Sequence, residues 1–175
     1  MDQFFTIAEA SQLIADKKLS PVELTQACLD RVKQFDDVLH AFILPTQERA
    51  MADARAAEAR IMAGLSRGKL DGIPIGHKDI YNTAGIRTTG HSALFKDHVP
   101  TEDAFTVRLL REAGAVMMGK LSTWEFAIGG SSFDLPWPPA RNPWDLALDP
   151  SGSSSGSGAA VAAGLCMGAM GSDTG

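Results

Sequence analysis

Two short stretches of this sequence combine residue types that could do chemistry. Gly72-Ile73-Pro74-Ile75-Gly76-His77-Lys78-Asp79 is an apolar run ending in charged residues, which reads as a strand delivering Lys78 at its C-terminal end. In the second stretch, residues 150–158, every residue after Pro150 is Ser or Gly. A serine hydroxyl is a weak nucleophile at neutral pH unless a neighbouring base takes its proton, and a lysine can be that base only when burial lowers its pKa. Taken alone, each has other readings. A flexible linker has the composition of 151–158, although its flanks here are Trp144 and the apolar Ala159-Ala160-Val161-Ala162-Ala163. Gly152-Ser153-Ser154-Ser155-Gly156 formally satisfies a Gly-x-Ser-x-Gly nucleophile elbow with Ser154 as nucleophile, but residues 144–150 make a poor buried strand before it. Phosphate cradling needs a Lys after the glycine, which the run lacks; Gly114 to Leu121 reads G-x-x-x-x-G-K-L, where Leu121 cannot bind a magnesium ion. Lys120 is then a structural or surface lysine. Lys78 by itself reads as a strand-end lysine paired with Asp79.

The elements that must position these residues are legible in outline. Thr6 with Glu9, and Ser20 with Glu23 and Pro21, have capping-box spacing and predict two helix starts. Leu24, Cys28, Val32 and Phe35 recur at helical intervals, so the second helix turns that face inward. Residues 48–63 alternate alanines with charges and predict a third helix, with a thinly packed alanine face and a solvated charged face. Beyond Gly64 the pattern becomes strand at 72–79, helix at 102–112 stopped by Gly114, and strand at 115–118, a parallel crossover unit. Residues 129–132 and 135–139 are irregular connections, and a small-residue helix at 159–164 and a strand at 165–171 follow. The predicted fold class is α/β: N-terminal helices over 1–64, then over 65–175 the start of a mixed, largely parallel sheet covered by helices, together one domain.

Composition narrows the function classes. At 45% apolar, 175 residues can build a sizeable core. A net charge of -5 with no basic stripe argues against direct nucleic-acid binding. The N-terminus is not a secretory signal, and no apolar stretch is long enough to span a bilayer. Cys28 and Cys166 match no metal-ligand spacing and no disulfide framework, which fits a reducing, cytoplasmic setting.

With its flanking blocks, the Ser/Gly run becomes specific. Residues 150–164 resemble the signature of the amidase-signature family, whose pattern is Pro-Gly-Gly-Ser-Ser-Gly-Gly-Ser-Ala-Ala-Ala-Val-Ala. The 72–79 block looks like that family's lysine strand, Gly119-Lys120-Leu121 through Glu125-Phe126-Ala127 like its next block, and Arg141-Asn142-Pro143-Trp144 like the segment leading into the signature. The resemblance runs from about Thr6 to the last residue and covers roughly the first third of a typical family domain. It implies a Ser-Ser-Lys amidohydrolase that needs no metal or cofactor. Lys78 would be the base, and Ser153 the bridging serine, held by a cis peptide bond, that relays protons for the nucleophile. The family places that nucleophile in Asp-Thr-Gly-Gly-Ser, so it would fall two positions beyond Gly175. Thr174 and Gly175 would supply half of an oxyanion hole, and Ala127, Gly129 and Gly130 would border the substrate pocket. Ser172 and Asp173 would fix the turn.

The sequence departs from the pattern at Ser151 and Ser155, which replace glycines, at Gly158, which replaces an alanine, and at His77, which stands beside the lysine where a small apolar residue is usual. Serine at a positive-φ glycine position costs roughly 1 kcal/mol or more. A strand neighbour such as His77 should point away from Lys78. The activity implied is hydrolysis of a small-molecule carboxylic amide to acid and ammonia through an acyl-serine intermediate, with the 175 residues inactive alone. The alternatives are the A-subunit of a glutamine-dependent aminoacyl-tRNA amidotransferase, and a non-catalytic fragment or interaction module. A homodimer or amidotransferase partner subunits are the protein partners these readings imply.

Overall fold

The computed structural model describes residues 5–173. Its first two helices open where the capping boxes predict. Thr6 and Glu9 exchange side chain-to-backbone hydrogen bonds ahead of α1 (Ile7–Ala15), and Ser20 and Glu23 do so ahead of α2 (Pro21–Leu39). Each cap satisfies helix N–H groups that would otherwise be orphaned, worth about 1 kcal/mol. Leu24, Cys28 and Val32 are buried and Phe35 packs partly buried against them, the inward face expected of α2. Burial pushes the Cys28 thiol up to about 12, so it behaves as a small apolar side chain. The third helix, α3 (Gln47–Met62), seals more tightly than its composition suggests. Ala50, Ala54 and Ala57 are at 0% exposure, because methyl side chains let the helix backbone lie close to its neighbours.

Among the described residues four strands make one sheet in the order β1-β3-β2-β4: β1 (Phe42–Pro45), β2 (Pro74–Lys78), β3 (Val116–Leu121) and β4 (Gly168–Met170). β2 is parallel to both β3 and β4, whereas β1 is antiparallel to β3. The sheet is thus mixed and largely parallel, and α4 (Phe105–Glu112) provides the crossover between β2 and β3. β1 comes from the stretch expected to be helical. Its four residues are too few for a strand signal, and two things hold them extended: the ladder to β3, and Asp36, whose carboxylate accepts from the N–H groups of Ala41 and Phe42. β3 continues three residues past its predicted end. β3 shifts register against β2, with Ile75 opposite Met117 and Gly76 opposite Gly119, so a bulge with Gly119 at φ +145° carries the chain on and takes Lys120 into the sheet. One core cluster joins α2 and α3 with β3 and the C-terminal helix, and a second joins α1 and α3 with β2.

That C-terminal helix, α5 (Ser155–Ala162), begins four residues earlier than its apolar composition implies. Ser and Gly are poor helix formers, but Ser155, Gly156 and Ser157 are buried, and tertiary packing overrides propensity. Gly156 is what allows the approach. Its N–H donates to the Ser122 carbonyl at 3.0 Å, and a Cβ there would collide with the backbone of Ala41 and Ser122. Gly156→Ala is therefore expected to destabilise the fold by about 1–3 kcal/mol, measured as a shift in the denaturation midpoint, because the obstructing atoms are backbone and cannot rotate away.

Candidate active site

The end of β2, the loop before α5 and the turn after β4 meet around one amine. Lys78 is fully buried, and its Nζ lies 2.6 Å from Ser153 Oγ, 2.7 Å from Ser172 Oγ and 3.0 Å from Ser154 Oγ. An ammonium has three N–H donors for these three oxygens. A neutral amine has two, plus a lone pair that can receive a hydroxyl proton. Ser154 spends its own proton on the Ser172 carbonyl at 3.2 Å and accepts from the Ser172 N–H at 3.1 Å. The hydroxyls left to donate into the lysine lone pair are those of Ser153 and Ser172. Burial lowers the Lys78 pKa below its ordinary value of 10.5, and the Asp173 carboxylate opposes that shift.

The Ser/Gly loop is built to present Ser153. Its Gly152–Ser153 peptide is cis, and the Trp124 N–H donates to the Ser153 carbonyl at 3.2 Å. The Trp124 ring lies so close over Gly152 that a Cβ there would strike the indole. Ser151 has φ +65°, the left-handed region expected if that position favours glycine, at a cost of roughly 1 kcal/mol. Ser155 and Gly158 carry no such strain, since both lie in the regular first turns of α5. A cleft of about 400 Å³ opens over the serines, lined by Trp124, Ala127, Ser151, Ser153, Ser172 and Asp173 among others. Ala127, at φ +61°, joins this lining. Gly129 and Gly130 do not: both are exposed, and a Cβ on either would meet nothing within 4 Å. Thr174 and Gly175 lie outside the described residues.

Lys78 does not pair with Asp79. Adjacent strand residues face opposite sides of a sheet, and Asp79 turns to the side of His77 and Lys120. Its Oδ2 accepts from the N–H and hydroxyl of Thr89 at 2.9 and 2.5 Å, while its Oδ1 stands 3.8 Å from Lys120 Nζ. Lys120 is not a surface residue either: it is fully buried and donates to Thr88 Oγ1 at 2.8 Å, Thr83 Oγ1 at 3.2 Å and the Tyr81 carbonyl. Burial lowers the pKa of Lys120 to about 8 and that of His77 to about 4. The charges that act on His77 are Lys120, Asp103 and Arg49, so it points away from the lysine–serine cluster. Ser172 and Ser154 are the members of this cluster that sequence reasoning placed elsewhere, in a turn and in an elbow. Strand spacing held the only signal, since β4 runs parallel beside β2 and returns its C-terminal end to that of Lys78. Among the described residues no group of three or more His, Cys, Asp or Glu could hold a metal ion, and no helix is long and apolar enough to cross a membrane.

A mixed sheet that buries a lysine amine among serine hydroxyls at the end of a parallel strand is the framework of the amidase-signature enzymes. The chain belongs to that family: the amidase family model matches residues 23–175. It is 46% identical over 172 residues to the A-subunit of a glutamyl-tRNA(Gln) amidotransferase from Moorella thermoacetica, covering 98% of this chain and 35% of that protein. With the protein of the same name from Halorhodospira halophila it is 48% identical over 170 residues, covering 97% of this chain and 35% of that one. A crystal structure of the peptide amidase PAM with the competitive inhibitor chymostatin superposes with a TM-score of 0.87 at 35% identity, covering 95% of this chain and 35% of that chain. The chain therefore spans about a third of the length of the relatives it matches.

Proposed function

We propose that these residues form the proton-relay half of an amide-cleaving site, and that the amide is the side chain of glutamine, cleaved by the A-subunit of an amidotransferase. The observation that carries the first part is Lys78 Nζ at 2.6 Å from Ser153 Oγ, in a buried setting that lowers the lysine's pKa. Neutral Lys78 takes the Ser153 proton while Ser153 takes that of a nucleophilic serine, which attacks the amide carbonyl. The tetrahedral intermediate expels ammonia as the proton returns through the same relay, and water then hydrolyses the acyl-serine. N–H groups at Thr174 and Gly175 would stabilise the oxyanion. The relatives at 46 and 48% identity favour the amidotransferase role over the stand-alone hydrolase that the sequence first suggested. In that setting partner subunits receive the ammonia.

The test uses a chain completed to the family's full length. It is expected to release ammonia from glutamine and to co-purify with its partner subunits. Efficient turnover of non-glutamine amides by the protein alone would leave the hydrolase reading in its place.

A further inference from the structure

One tyrosine ties together the strand ends that meet at the lysine. Tyr81 lies in the turn after β2, where its N–H donates to the Lys78 carbonyl at 3.1 Å and its carbonyl accepts from Lys120. Its phenol crosses to the far side of the site and donates to the Gly171 carbonyl at 2.6 Å. The β2–β4 ladder ends at the His77–Met170 pair, so Gly171 is the first residue past the sheet. The phenol continues the tie that the ladder stops making. The next residue is Ser172, whose Oγ takes Lys78 Nζ at 2.7 Å and whose N–H donates to Ser154 Oγ at 3.1 Å. A peptide carbonyl and the N–H that follows it share one rigid plane, so holding the Gly171 carbonyl orients the Ser172 N–H.

We infer that Tyr81 is a positioning residue: its hydroxyl fixes the Gly171–Ser172 peptide and so sets Ser172 against Lys78 and Ser154. The β2 end and the turn after β4 are then held at one spacing by bonds from a single residue. The kinetic consequence rests on the functional reading above, whereas the geometric one does not.

Tyr81→Phe keeps the ring and removes only the hydroxyl. In the completed chain, kcat per titrated active site is expected to fall about five- to tenfold, the scale of one lost hydrogen bond, with KM unchanged within about twofold. The ascending limb of the kcat–pH profile should also move, because Ser172 is one of the three oxygens on Lys78. Ser172→Ala should move the same limb, and adding Tyr81→Phe to it should change little, since both act through one contact. Wild-type kcat and an unmoved limb in Tyr81→Phe would overturn the inference, as would effects of the two variants that multiply. A loss of thermal stability alone, with kcat per site and pH profile intact, would also overturn it by reducing Tyr81 to a structural bond. Lys78→Ala is the control. If it retains turnover, the functional reading falls and Tyr81 is judged by hydrogen exchange, where Tyr81→Phe should speed exchange of the Ser172 amide about tenfold and an unchanged rate would refute the positioning role.

Discussion

Lys78→Ala in a chain completed to the family's length is expected to lower kcat roughly 10²–10⁴-fold with a much smaller change in KM, the scale of a lost general base. The amine is held by three serine oxygens within 3.0 Å, and alanine in its place leaves nothing there to accept the Ser153 proton. Lys78→Arg should fail almost as completely, because a guanidinium does not deprotonate in this range and cannot accept the Ser153 proton. The pH dependence has a definite sign. In the proposed mechanism the working form is the neutral amine, so kcat is expected to rise with pH as Lys78 loses its proton, and burial places that limb below the ordinary 10.5 of lysine. A profile flat through that region, or one with the limb at or above 10.5, would remove Lys78 from the base role. Steady-state ammonia release across pH measures both.

The second large effect is on stability and concerns the other buried lysine. Lys120→Met is expected to cost about 3–5 kcal/mol, because it leaves the Asp79 carboxylate buried without its cation and removes the donor to Thr83, Thr88 and the Tyr81 carbonyl. Adding Asp79→Asn to Lys120→Met should restore part of the loss, since the uncompensated charge disappears. Chemical denaturation of Lys120→Met, of Asp79→Asn alone and of the double variant gives the coupling directly. With Lys120 at about 8 in the folded chain and at the ordinary 10.5 when unfolded, the unfolded chain binds the proton more tightly between those values. Wild-type stability should therefore rise as pH increases from about 8 to 10.5, and Lys120→Met should lack that rise.

The ease with which each part of this chain could be read follows the range of the interaction involved. The caps at Thr6 and Ser20, the inward face of α2 and the crossover through α4 are local patterns, and they appear in the structure where the residues put them. The family resemblance is likewise carried by contiguous blocks, which is why Lys78 and Ser153 could be named together although they are 75 positions apart in sequence. β1, the bulge at Gly119 and the early start of α5 were not legible, because each depends on a partner distant in sequence: the β3 ladder, Ile75 and Gly76 of β2, and the backbone of Ala41 and Ser122.

Blocks that resemble the family's carried the family and the lysine–serine pair, and local patterns the α/β class with its parallel crossover. Which hydroxyls reach the amine depended on the folded chain. Folding brought Ser154 and Ser172 onto Lys78, turned Asp79 away to Lys120, and put Tyr81 across the strand ends. Those contacts depend on which face of β2 each side chain takes and on β4 returning parallel beside it. Strand alternation and sheet order settle both, and neither is written in any one stretch of the chain.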